Sequence, residues 1–168
     1  MGRTAVETLL LALEHAWEHP WEALVGTLDG VDEAEATWSA PPYDDVESAG
    51  QSPKPGSIHW HVNHLAGCKL YYIARLAHTL DPGQPLREDD RLDPEPTYAA
   101  EFARLEKIRS EEYDQIAGLD DDDLARTTSS GKSVLEFLVA TTRHDTWHAG
   151  QIAMARRLYR RRKDTTSS

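Results

Sequence analysis

Eight histidines stand out in this chain: His15, His19, His59, His61, His64, His78, His144 and His148. His59, His61 and His64 fall within six residues, and His144 and His148 sit four apart. Imidazole binds divalent metals and carries protons near neutral pH, so these clusters are where chemistry would lie. Two histidines at i and i+4 on a helix occupy neighbouring turns of one face, where both can reach a single ion.

A helical wheel centred on His144 puts His148 at about 40° and Gln151 at about -20°, with Phe137, Ala155 and Leu158 on the same side. Arg143, Arg156, Arg157 and Arg160 fall at about 100° or beyond. Both histidines are therefore expected at the centre of a buried stripe. A wheel centred on His64 puts Trp60, Cys68 and Tyr71 within about 40°, and Arg75 at about 20° but three turns along. His64 thus points inward as well. His61, at about 60°, is expected to orient a ligand or wall a pocket, and His59, at about -140°, to lie at the surface or the loop mouth.

A lone inward histidine is ordinarily a core residue hydrogen-bonded to a neighbour. A pair on one stripe, facing a third on another helix, favours a metal, because each buried neutral imidazole needs partners for both nitrogens. The neighbours keep two readings each. Cys68 is an inert buried thiol or a ligand. Tyr71 is core or orients a ligand, and Arg75 is a salt-bridged surface residue or an anchor for an anionic substrate.

His144-Asp145-Thr146-Trp147-His148 has the spacing of the zinc-protease His-Glu-x-x-His motif, with Asp in place of Glu. The shorter carboxylate is misplaced for a general base, and only Asp164 follows as a further acidic or imidazole ligand. A third ligand must come from upstream, which points to His64 and away from a peptidase.

Helices must position these groups. Val6, Leu9, Leu10, Leu13, Trp17, Leu24 and Leu28 recur at threes and fours, predicting a first helix over 4–28 that Pro20 kinks or interrupts. Residues 29–56 read as a long loop, with Pro41, Pro42, Pro53 and Pro55 as breakers. Ser57 is expected to cap a second helix reaching Leu80, ended by Asp81-Pro82-Gly83. Tyr98, Phe102, Leu105, Ile108 and Ile116 mark a third helix, and Ser133 with Glu136 makes a capping box for a fourth reaching Arg162. Asp120 to Asp123 reads as a solvated turn or the start of a short helix. The expected fold is all-α: an antiparallel four-helix bundle in one domain over 1–168, its core about 4–162, with long connections after the first and second helices.

Composition narrows the partners. The 168 residues carry 29 acids and 18 Lys or Arg, a net charge of -11 that disfavours phosphate backbones. The basic run from Arg156 through Arg157, Arg160, Arg161 and Arg162 to Lys163 is expected to be a solvated helix end that complements the helix dipole. No apolar run approaches the roughly 18 residues of a membrane span, and the first apolar stretch is interrupted by acids and His15. One cysteine excludes an internal disulfide and a cysteine-only metal site. The expected location is the cytoplasm.

Trp60-His61-Val62-Asn63-His64-Leu65-Ala66, together with His144-Asp145-Thr146-Trp147-His148-Ala149-Gly150-Gln151-Ile152, resembles the DinB/YfiT-like superfamily of four-helix-bundle proteins. The resemblance extends over helix order and loop placement, from about Leu9 to Arg162. It implies one divalent ion held by His64, His144 and His148, with nickel, zinc or iron the expected choices; the wheels set His61, Cys68, Tyr71, Arg75 and Gln151 around that position. It also implies a small-molecule substrate, and activation of a thiol or of water. The thiol-dependent transferases of the superfamily take low-molecular-weight thiols; other members are described as metal-dependent hydrolases, and a non-catalytic binding bundle is the third class. A homodimer is left open. The segment 29–56 is expected to wall the open coordination position, since it feeds the helix that carries His64 two turns in.

Overall fold

A computed structural model describes residues 3–19, 23–40 and 52–166 of the chain. Among these, six α-helices form: α1 (Ala5–Glu18), α2 (Leu24–Leu28), α3 (Glu33–Thr37), α4 (Ile58–Leu80), α5 (Tyr98–Ala117) and α6 (Val134–Thr166). A single 3-10 turn, Asp123–Ala125, precedes α6, and no strand occurs among the described residues beyond one bridge between Thr127 and Ser133. The four long helices, α1, α4, α5 and α6, make the all-α antiparallel bundle expected. No helix among the described residues is long and apolar enough to cross a membrane.

Local chemistry sets the helix starts. Thr4 and Glu7 form a reciprocal capping box on α1, and Asp121 reaches back from the turn before α6 to accept from the Ala5 and Val6 amides at 3.3 and 3.2 Å. Its charge sits at the positive end of the α1 dipole. The acidic run is thus a turn that caps another helix. Ser57 Oγ accepts from the Trp60 amide at 3.1 Å, and Ser133 and Glu136 exchange bonds at the start of α6. These caps fall where the sequence placed them.

The first helical stretch is interrupted, as expected, into α1 and α2; Pro20 itself lies outside the described residues. Two boundaries differ from expectation. The predicted loop 29–56 contains α3, a five-residue helix capped by Asp32, too short to show periodicity; Pro41 and Pro42 lie outside the described residues. The last helix continues to Thr166, four residues past Arg162.

The core has two apolar halves. Leu9, Leu13, Leu76, Ile116, Phe137 and Leu138 fill one end, and Trp17, Val62, Leu65, Leu105, Ile108 and Ile152 belong to the other. Between them in chain position on α4, α5 and α6 lie Lys69, Glu112 and Asp145. Lys69 is 1% exposed, and its ammonium donates to Glu112 and Asp145, each at 2.7 Å. Burial opposes that charge, but Asp145 and Glu112 outweigh it and hold the ammonium above its ordinary value. Burial also raises the Glu112 carboxyl, against the pull of Lys69.

Removing one member of such a layer leaves buried charge uncompensated. Lys69→Met is expected to cost about 3–5 kcal/mol in urea unfolding. A loss below about 1 kcal/mol, the level of an exposed pair, would show the layer to be dispensable.

Candidate metal centre

His64 projects from α4 and His144 and His148 from α6, and donor atoms of all three lie within 4.8 Å of one another. The two helices pack directly together. His144 Nε2 and His148 Nε2 are 3.1 Å apart. Two nitrogens sharing one ion at about 2.0–2.1 Å each stand about 3.0–3.4 Å apart, so this pair fits a common ion. The His64 ring lies 5.3 Å from His144 and 5.0 Å from His148, centroid to centroid. Trp60 stacks on His64 at 5.2 Å with 9° between the rings.

Electrostatics keep the rings neutral. Burial, followed by the neighbouring imidazoles, pushes His148 down to about 3. Burial and then His64 bring His61 down to about 4. His64 and His144 are lowered too, burial first in each. Neutral imidazole is the form that ligates metal.

The other faces of the rings show how they are held. His148 Nδ1 meets His61 Nδ1 at 2.9 Å. A proton on His148 Nδ1, donated to His61, would leave the Nε2 lone pair toward His144 and the shared position, and His61 is placed to hold that tautomer. On His64, Nδ1 faces Asp90 Oδ2 at 3.5 Å, and the Cys68 sulfur lies 3.6 Å from Nε2. Asp90 belongs to the connection between α4 and α5, and Gly67 lets that connection close in. A Cβ at Gly67 would lie 2.0 Å from the Asp90 carbonyl oxygen. His144 Nδ1 is buried without a hydrogen-bond partner.

His64, Cys68 and Asp90 make a second convergent set that shares His64. Burial, then the hydrogen bond to Asp90, drives the Cys68 thiol pKa well up, so its sulfur keeps the proton and donates it to Asp90 at 3.3 Å. A metal there would have to displace that proton, which the three neutral imidazoles do not require. The three imidazoles are the better donor set.

His61, His64, His148 and Gln151 line one cavity of about 520 Å³, walled by Trp60, Trp147, Met154, Ala155 and Leu158. From the connection before α4, Ala40, Pro55 and Gly56 also line it. Of the rest of the expected wall, residues 41–51 lie outside the described residues, whereas 29–39 and 52–54 do not line this cavity: Trp38, Ser39 and Lys54 line a separate pocket with Tyr159 and Arg162. Of the other expected neighbours, Cys68 stays beside His64, its sulfur 3.6 Å from Nε2, but does not line this cavity, and Tyr71 and Arg75 sit elsewhere. Tyr71 and Cys68 line a separate pocket with Asp90, and the Arg75 guanidinium packs over the Tyr71 ring at 4.5 Å, with Nη1 3.4 Å from Ser129 Oγ. The structure does not bring Arg75 to the cavity. Asp145, in the Glu position of the protease-like motif, is bound to Lys69 and has no freedom to act as a base.

Two expectations need correction. His59 is 4% exposed rather than at the surface, with Nε2 3.8 Å from the buried Glu101 carboxylate of α5. Arg156 is not solvated: its Nε donates to Glu35 at 3.0 Å and its Nη1 to the Thr27 carbonyl at 2.7 Å. In both cases a partner distant in sequence, from α5 or α3, reaches the flank that a wheel assigns to water.

An all-helical bundle whose α4 and α6 bring three imidazoles together beside a cavity offers a donor set that could hold a metal ion. A family model described as the DinB superfamily matches residues 4–152, and the chain belongs to that superfamily. No curated protein matches the chain.

Unfolded imidazoles titrate near 6.5. The fold lowers His61 and His148 to about 4 and about 3, so at intermediate pH the unfolded chain binds more protons. The resulting stability is complete above about pH 6.5 and is lost as pH falls toward the folded values. The urea midpoint of metal-free protein should fall between about pH 6.5 and 5, above the range where ordinary carboxylates titrate. His148→Gln should flatten that slope, and a wild-type midpoint constant across the window would contradict neutral burial.

Proposed function

We propose that this chain is a metal-dependent enzyme of the thiol-transferase type, acting on a small molecule held in the cavity. His64, His144 and His148 would hold a divalent ion, with nickel, zinc or iron the fitting choices for an all-imidazole set. A divalent ion in such a site supplies Lewis acidity and lowers the pKa of a thiol or water that shares it. The convergence of three neutral imidazoles, two of which (His64 and His148) line the cavity while His144 stands behind them in the adjoining pocket, carries this reading.

The protein groups divide the remaining work. His61 holds the His148 tautomer, and Asp90 orients His64. Trp60 and Trp147 give the cavity apolar walls that limit access of water to the floor. No carboxylate lines the cavity among the described residues: Asp145 is engaged by Lys69, and Asp90 by His64 and Cys68. That favours a thiol over water. A thiol near pKa 8.5 yields its proton far more readily than water, so it needs no general base beside it.

Purified protein is expected to carry close to one equivalent of divalent metal, and His148→Ala should lose it in elemental analysis. Asp90→Asn should weaken metal binding by about 10–100-fold without removing a ligand. Metal-loaded protein should conjugate small electrophiles only when a low-molecular-weight thiol is supplied. Turnover at the same rate with water alone would make it a hydrolase, and bound metal without turnover would make it a binding bundle.

A further inference from the structure

The cavity extends farther from the histidines than a reacting group requires. Its α6 wall runs from Trp147 and His148 through Gln151, Met154 and Ala155 to Leu158. At 1.5 Å rise per residue, Leu158 lies about 15 Å along the helix from His148. Trp147 and Met154 are 59% and 55% exposed, and Leu158 is 41% exposed. Large apolar side chains this open, on one wall of one cavity, mark a surface waiting for an apolar ligand.

Charge narrows the ligand further. No Lys, Arg, Asp or Glu lines the cavity among the described residues. A ligand body carrying anionic groups along its length would lose hydration there and find no counter-charge. The polar side chains of the lining cluster at one end, in the imidazoles and Gln151.

We infer that the cavity binds an elongated amphiphile, its one polar head at the imidazole floor and its apolar tail laid along α6 toward Leu158. The head position rests on the metal reading of the histidines; the tail site does not.

The test uses metal-free and metal-loaded full-length protein. N-phenyl-1-naphthylamine, a neutral dye that brightens when buried, should bind both. Primary alkanols from butanol to decanol should displace it, with the midpoint falling about fourfold for each methylene buried. Leu158→Lys alters a half-exposed position that the fold tolerates. It should raise the decanol midpoint by about tenfold and leave that of butanol within about twofold, because only the longer tail reaches it.

A flat alkanol series, an equal effect of Leu158→Lys on short and long chains, or absence of dye binding would overturn the inference. Absence of dye binding in a chain that runs as a dimer, dissociated by Leu158→Lys, would assign the face to a second copy instead. Metal analysis of the same samples separates the two readings. Chain-length dependence without bound metal removes the metal centre and keeps the tail site, and bound metal with a flat series does the reverse.

Discussion

The bundle is organised around one buried cation. Lys69 stands on α4 where an apolar residue would ordinarily complete the stripe, and it reaches α5 through Glu112 and α6 through Asp145. Trp17 of α1 lies with its ring centre 5.9 Å from the same ammonium. All four long helices therefore meet at one charged group. An ammonium this deep is tolerable only when both carboxylates stay in place, so the three helices cannot slide past one another without exposing or stranding a charge. Asp145 directly follows His144, and Lys69 is five residues past His64. The helix register that satisfies Lys69 is also the register that sets the imidazoles opposite each other.

That dependence explains what was legible in the chain. His144 and His148 were readable because one helix holds both, and a 3.6-residue period alone puts them on one face. His64 was readable as inward for the same reason, and the resemblance joined it to the pair. The capping residues Ser57 and Ser133 were readable because a cap is a three-residue interaction. Lys69 and Asp90 were not read. Nothing local distinguishes a lysine paired by residues 43 and 76 positions away from one that snorkels to water. Asp90 lies in an acid- and proline-rich connection with no period, and the signal that would have found it is Gly67. A glycine in mid-helix is costly unless another backbone presses against it, and here the Asp90 carbonyl does.

His59 and Arg156 show the same limit from the other side. A wheel divides a helix into core and solvent, which holds for a helix packed on one face only. Glu101, 0% exposed on α5, sits beside His59, and α3 brings Glu35 against Arg156. The five-residue α3 is the element least visible to periodicity, yet Glu35 supplies a buried carboxylate to the middle of the longest helix. Polar residues on the flank of a stripe are thus recruited by partners from the connections.

Charge segregation links this scaffold to chemistry. The bundle buries its ionised groups as pairs, Lys69 with Glu112 and Asp145, and Arg156 with Glu35, and leaves the imidazole cluster uncharged. Neutral rings in an apolar cavity have no electrostatic stabilisation of their own: His148 and His61 satisfy each other, and His144 Nδ1 remains without a partner. A layer of paired charge can bear the packing load of the core, because pairing is what its members need. The imidazoles are freed from that load. Apart from the His64 contact with Asp90, the rings of the cluster face one another rather than carboxylates, and their donor atoms converge within 4.8 Å in the neutral state that ligation needs. The same separation keeps carboxylates off the cavity wall among the described residues, so the face that meets a ligand is apolar apart from the imidazoles and Gln151.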